Sequence, residues 1–365
     1  MSLMFEPYAL RELTVRNRVW MAAMCQYSAA STGTEVGAPN DWHFAHLAAR
    51  ATGGAGMIVT EATAVSAEGR ISPYDLGLWN DRQVEAFAPI TAFIAGQGAI
   101  PGVQLAHAGR KASTDRPWVG GAPVLPDAGG WLPVGPSAVP FDNRHLVPHE
   151  LSVEEIAAIV EEFRQAATRA LAAGFQVAEV HGAHGYLIHQ FLSPISNRRT
   201  DRYGGSFANR IRLALEVTEA VRSVWPEELP ILFRVSATDW LVEAGRTDEH
   251  GWTIKDSVAL SIELKQRGVD LIDVSSGGNV AAVSIPVEAG YQVPFARRIK
   301  ADAGVAVGAV GLITEPVQAE KLIADGDADV VLLGRELLRD PYWPLHAARE
   351  LGVEVTVPPQ YRRAL

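Results

Sequence analysis

Eight short apolar runs, each followed by a stretch of helical periodicity, constrain the fold of this 365-residue chain more than any other feature. The runs are Val19–Met24, Met57–Glu61, Pro101–Leu105, Gln176–Val180, Ile231–Val235, Leu271–Val274, Val305–Gly308 and Val330–Leu333. Short apolar runs of this kind suit a parallel sheet whose faces are both covered by helices. The spacing predicts those helices at Asp41–Thr52, Asp81–Ala95, Ser152–Ala173, Phe207–Val224, Thr253–Arg267, Pro294–Ala303, Thr314–Asp325 and Tyr342–Leu351. Asn40 or Asp41 caps the first, and Ser152 with Glu155 forms a capping box. Eight such units predict an α/β fold, a (β/α)8 TIM barrel in one domain over 1–365, with a doubly wound sheet as the alternative. The alternation breaks from His107 to Glu150, which is rich in Gly, Pro, Trp and Asp. That stretch is too long for an ordinary βα connection, so about 108–150 reads as an inserted excursion after strand 3, over one mouth of the sheet. Residues 352–365 form a C-terminal tail.

Charge and cysteine content narrow the function. Forty-two acidic against 32 basic residues give a net charge of −10, which argues against nucleic acid or an anionic membrane as the main partner. A lone cysteine, Cys25, leaves no internal disulfide and fits a reducing compartment. No apolar run approaches the ~20 residues of a membrane span, and the N-terminus lacks a signal-like apolar core. A cytoplasmic protein is expected.

His181, His184 and Tyr186 fall just after the fourth strand, where parallel α/β sheets bind ligands. A histidine pair at this spacing can be structural, can ligate metal, or can aim two donors at one oxygen. Spacing alone favours the structural reading, then the metal. Against the metal, Glu179 precedes the pair in a strand whose alternate residues face opposite ways, and no cysteine cluster follows. In the third reading the pair polarises a carbonyl and Tyr186 is a nearby proton source. The other strand ends supply Cys25, Ala62, Gln104, His107 and Arg234. Convergence of so many such groups on one barrel face makes separate structural roles improbable. In the last two units Gly308, Gly311 and Gly334 allow backbone N–H groups to approach an anion, beside Arg335 at a helix start, the usual phosphate site of this fold. No G-x-G-x-x-G follows a strand, so no resident dinucleotide domain is expected.

At these residues the chain resembles the Old Yellow Enzyme family of flavin-dependent ene-reductases. The resemblance is carried by MCQYS from Met24, EATAV, GVQLAHAGRKAS, HGAHGYLIHQFLSPISNRRTDRYGGSFANR, VSSGG, GYQVPFA, GAVGLIT and LLGRELLRDP, which span nearly the whole chain. Cys25, Tyr27 and the terminal QYRR resemble the bacterial branch called thermophilic-like.

The resemblance implies tightly bound FMN held by Ala22, Ala23, Met24, Cys25, Ala62, Gln104, Arg234, Gly311, Gly334 and Arg335. It implies that NADPH visits as hydride donor and is replaced by an electron-poor alkene. His181 and His184 would then bind the substrate oxygen, hydride would pass from flavin N5 to the β-carbon, and Tyr186 would protonate the α-carbon. Tyr27 would line the substrate pocket. Arg363 would reach a neighbouring subunit's site in a homodimer or dimer of dimers. Three departures stand out: Ala23 where relatives usually carry proline, a longer loop over Gly120–Val134, and a tail ending Arg-Arg-Ala-Leu without an aromatic residue. Two other readings remain at this point: a metal-dependent barrel lyase or hydrolase using the histidine pair, and a non-catalytic flavin or phosphate binder.

Overall fold

A computed structural model describes residues 2–363. Eight parallel strands close into a barrel: β1 (Val19–Met21), β2 (Met57–Ala64), β3 (Ile100–Ala106), β4 (Val177–Gly182), β5 (Ile231–Ser236), β6 (Leu271–Ser275), β7 (Ala306–Ala309) and β8 (Val330–Leu333). Each pairs with its sequence neighbours, and β8 pairs with β1. The barrel reading is therefore correct and the doubly wound alternative is not. The surrounding helices are α1 (Asp41–Thr52), α2 (Asp81–Gly96), α3 (Val153–Ala172), α4 (Arg212–Arg222), α5 (Ile254–Gln266), α6 (Val293–Ala303), α7 (Pro316–Ala324) and α8 (Trp343–Glu350). Asn40 caps α1 and the Ser152–Glu155 box opens α3. The helix expected over Phe207–Val224 is divided at Ile211 into a turn, Phe207–Arg210, and α4.

The barrel interior changes character along its axis. At the N-terminal end Trp20, Met57, Val59, Val177, Leu232, Leu271, Val330 and Leu332 pack as one buried apolar cluster. Leu10 and Val15 join it from a hairpin, Tyr8–Leu10 with Leu13–Val15, that plugs this mouth. Fully burying one such side chain contributes about 1.5–3 kcal/mol. Two residues further along the strands the inward positions become polar: Glu179 and His181 in β4, Arg234 and Ser236 in β5, Asp273 and Ser275 in β6. The apolar floor thus supports a polar C-terminal mouth.

Between β3 and α3 the chain folds over that mouth through 3-10 turns at Gly109–Lys111, Pro117–Val119 and Pro126–Ala128. A two-residue strand, Val134–Gly135, pairs in parallel with His149–Glu150. Ser113 pins the Gly120–Val134 loop: its Oγ donates to the Val124 carbonyl at 2.7 Å and accepts from the Trp131 N–H at 2.9 Å. Trp118 then meets Tyr27 edge-on, with ring centroids 5.9 Å apart. No helix among the described residues is long and apolar enough to cross a membrane.

Candidate active site

Three aromatic groups meet where β4 ends. His181 is the last inward-facing residue of the strand, and its ring centroid lies 5.2 Å from that of His184 and 5.1 Å from that of Tyr186, both edge-on. The turn that brings His184 back places it at φ 58°, a left-handed conformation a non-glycine residue adopts only under local constraint. The constraint is visible. The His184 N–H donates to Ser236 Oγ at 2.9 Å, and its carbonyl accepts from Lys111 Nζ at 2.9 Å. Beneath the turn, the Gly185 N–H donates to His189 Nδ1 at 2.9 Å, and His189 Nε2 lies 3.1 Å from Asp239 in a fully buried pair. The short helix Leu187–Leu192 carries His189.

Electrostatics fix the charge state of this cluster. Burial, then the Arg234 guanidinium, hold His181 and His184 well below the ordinary histidine value, so both rings are neutral near pH 7. Burial likewise pushes the Tyr186 phenol well up, keeping it protonated. The Cys25 thiol is raised by burial and then by Asp75 and Glu61, so it is not a thiolate. His181 Nδ1 is buried with no hydrogen-bond partner, a donor or acceptor that a bound oxygen can satisfy.

A cavity of about 220 Å³ opens beside the cluster, lined by Ala22, Ala23, Met24, Arg234, Ser275, Gln292, Gly311, Gly334, Arg335 and Arg339 among others. Seven residues expected at a cofactor therefore share one wall. Cationic side chains stand at Arg234, Arg335 and Arg339. At Gly334 an added Cβ would meet nothing closer than Met24 Sδ at 3.5 Å, so the backbone there faces open space. Gly311 adopts φ 123°, which strains any other residue. An open cradle with guanidinium groups around it fits a flat, phosphorylated, anionic cofactor such as FMN. Arg335 begins a helix, as expected, and that helix is five residues long, Arg335–Arg339.

The other expected residues lie elsewhere. Cys25, Tyr27, Ala62 and Tyr186 pack with Ile71, Ala106, Ala108 and Ala112 in an adjoining apolar pocket. Tyr27 sits at φ 49°. A bulge in β2 between Thr60 and Ala62 shifts its register against β3. At the bulge Glu61 accepts the Gln26 N–H at 2.7 Å and so holds the loop bearing Cys25 and Tyr27. Gln104 lies deeper, donating from Nε2 to Glu179 Oε1 at 2.6 Å. His107 Nδ1 accepts from the Gly109 N–H at 3.1 Å, and burial lowers the ring to about 4. Arg363 is exposed on the tail beyond Tyr361, which packs on Tyr342 with ring centroids 5.9 Å apart. The Ala-Leu end of the tail lies outside the described residues.

The structure overturns the separation of Glu179 from His181 expected from sequence. Glu179 and His181 are two residues apart and both face the barrel interior, so strand alternation does not separate them. Glu179 is instead committed to Gln104, and with Asp273 and Arg234 it forms a buried chain in which Arg234 Nε lies 3.0 Å from Asp273 Oδ2. Burial raises both carboxyls, and Arg234 opposes the shift in each. Among the described residues no group of three or more His, Cys, Asp or Glu side chains is placed to hold one metal ion. Ser275, Gln292, Lys111, Glu61 and Asp75 were given no role from sequence. Ser275 alone carried a signal, a polar residue at a strand's C-terminal end.

A closed barrel with neutral donors, a phenol and a cationic cradle at its C-terminal mouth is the framework of an enzyme that holds a phosphorylated cofactor beside a polarised oxygen. Residues 3–354 match the model of the NADH:flavin oxidoreductase / NADH oxidase family, and the chain belongs to that family. It is an oxidoreductase with FMN as cofactor and a reduced nicotinamide dinucleotide as electron donor. It is 48% identical over 364 residues to an NADPH dehydrogenase of Listeria innocua, covering 100% of this chain and 99% of that one. An NADPH dehydrogenase of Geobacillus sp. is 46% identical over 362 residues, covering 99% and 98%. The Old Yellow Enzyme homologue of Zymomonas mobilis superposes with a TM-score of 0.77 at 26% identity, covering 98% of this chain and 97% of that one. The resemblance read from the motifs holds.

Proposed function

We propose that this chain is an NADPH dehydrogenase that works as an ene-reductase, saturating alkenes conjugated to a carbonyl or nitro group. One observation carries the reading: the His181 ring centroid lies 5.2 Å from that of His184 and 5.1 Å from that of Tyr186 at the open end of the barrel, beside the cavity that fits FMN. When bound, FMN would supply the hydride chemistry that links NADPH to the alkene β-carbon. Ala22–Cys25, Ala62, Gln104, Arg234, Gly311, Gly334 and Arg335 would hold it. Arg234, oriented by Asp273 at 3.0 Å, would offset the negative charge that the cofactor gains on reduction.

The substrate side is the work of neutral donors. His181 and His184 give N–H hydrogen bonds to the carbonyl or nitro oxygen and hold the negative charge that grows there. Both rings being neutral, the substrate oxygen is polarised by two fixed N–H dipoles rather than by an imidazolium. Tyr186, protonated and half-buried, gives its phenolic proton to the α-carbon. Tyr27 lines the pocket and hydrogen-bonds the same oxygen. The enzyme acts in the cytoplasm as a homodimer or dimer of dimers, with Arg363 extending into the neighbouring site.

Product labelling tests the reading. With NADPH and 2-cyclohexenone in deuterium oxide, the cyclohexanone formed carries solvent deuterium at the α-carbon and NADPH hydrogen at the β-carbon. Tyr186→Phe slows that reaction by roughly 10²–10⁴-fold. NADPH oxidation without any cyclohexanone would overturn the proposal.

A further inference from the structure

A second, small cavity touches Tyr186. It measures about 10 Å³, and its wall includes Ala62, Ala64, Ile71, Asp75, Ala106 and Tyr186. That volume is room for a single water. Asp75 is the one charged side chain on the wall, and it is 1% exposed. Its Oδ2 accepts the N–H groups of Ile71 at 2.7 Å and Ser72 at 3.1 Å. Its Oδ1 is buried and has no hydrogen-bond partner. Leaving a carboxylate oxygen dry and unpaired is costly, so this oxygen requires either a proton of its own or a water in the cavity.

Every turnover in the proposed reaction strips Tyr186 of its phenolic proton, and the neutral histidines beside it hold no proton to spare. We propose that Asp75 returns this proton to Tyr186 through one water held in the small cavity. The inference rests on the reading of Tyr186 as the proton donor. In the step, Asp75 Oδ1–H bonds to the water as its O–H breaks, the water passes one of its protons to the tyrosinate oxygen, and Asp75 is left as carboxylate. Asp75 regains a proton from solvent before the next cycle. One solvent proton is consumed per alkene reduced, and no electrons move in this step.

The surroundings tune Asp75 for the task. Burial raises it to about 7, against the pull of the Ser72 and Ile71 N–H groups and of Arg70. Arg70 does not take the carboxylate, because its guanidinium donates to the Ala67 carbonyl at 2.7 Å and the Pro73 carbonyl at 2.9 Å. Glu61, also raised by burial, is committed to the Gln26 N–H. The Cys25 thiol and the Tyr27 phenol complete the titratable groups nearby, and both are pushed up by burial. A purely structural Asp75 would need only the oxygen that caps the turn.

Asp75→Asn in the FMN-loaded enzyme separates the two roles, since the amide oxygen still accepts from Ile71 and Ser72 but no transferable proton remains. Enzyme reduced beforehand is mixed with 2-cyclohexenone, and re-reduction is kept fast by excess reductant. The first turnover, which uses the proton Tyr186 already holds, runs at the wild-type rate. Later turnovers run about tenfold or more slower. In the wild type the later turnovers are fast below about pH 7 and decline above it, as Asp75 loses its proton, and the variant lacks this inflection. Equal slowing of the first turnover would show a bracing role and overturn the proposal, as would later turnovers at the wild-type rate. If the variant fails to load FMN, the wild-type profile decides alone: no inflection between about pH 6 and about pH 8 overturns it. Tyr186→Phe with an undiminished first turnover would instead sink the reading of Tyr186, a separate result.

Discussion

His184 Nε2 and Ser275 Oγ lie 2.7 Å apart, the shortest contact either atom makes. Ser275 has another acceptor, Gln292 Oε1, but at 3.3 Å, and Ser276 already donates to that oxygen at 2.6 Å. Gln292 is itself oriented, because its Nε2 donates to the Val310 carbonyl at 2.9 Å. The Ser275 hydroxyl is therefore best placed to donate to His184 Nε2, which leaves the ring proton on Nδ1 for a substrate oxygen.

Ser275→Ala removes that orientation without touching the ring. Turnover with 2-cyclohexenone should fall by about tenfold, in kcat more than in KM, with FMN content unchanged. Steady-state kinetics beside the flavin absorbance of each preparation checks this. Ser275→Thr, which keeps the hydroxyl, should recover most of the loss.

The Glu179 carboxyl gives a test in stability. Its folded value is raised, chiefly by burial, so its contribution is fully present below the ordinary value of 4.5 and is lost as pH rises through the raised folded value. Glu179→Gln keeps an oxygen for Gln104 Nε2 and removes the titration. The Tm of the variant should gain on wild type as pH rises from the acid side towards neutrality, by the equivalent of about 1 kcal/mol or more. Parallel Tm–pH curves would contradict the burial of an ionisable pair here.

The cradle at Gly334 predicts a loss of cofactor with little loss of fold. Gly334→Val places a branched side chain where the cavity is open and Met24 is the nearest neighbour. The purified variant should carry much less flavin than wild type, while its far-ultraviolet circular dichroism is unchanged. Arg335→Ala should weaken FMN binding by about 1–3 kcal/mol without closing the cradle, measured by fluorescence titration of the apoprotein.

The barrel was legible because strand interiors such as Val330–Leu333 are apolar on both faces, and because caps such as Ser152–Glu155 mark helix starts. The plugging hairpin was not: its strands are three residues each, too short for a period to show. Helix Leu187–Leu192 was hidden for another reason, since all six of its residues are buried and no polar face alternates with an apolar one. The site divides in the same way. His181 and Arg234 lie at inward positions of strands, which spacing reveals. Glu61 and Asp75 depend on a bulge and on a turn folded against a distant tyrosine, relationships that no local pattern carries. Arg363 extends into solvent in the single chain, so its proposed role depends on a second copy.

The most direct test is the visible spectrum of the purified protein held anaerobically, recorded as isolated, after NADPH and after 2-cyclohexenone. The proposed ene-reductase shows an oxidised flavin spectrum that bleaches with NADPH and returns when the enone is added. A flavin that bleaches and stays bleached in the presence of the enone would contradict the role given to His181, His184 and Tyr186.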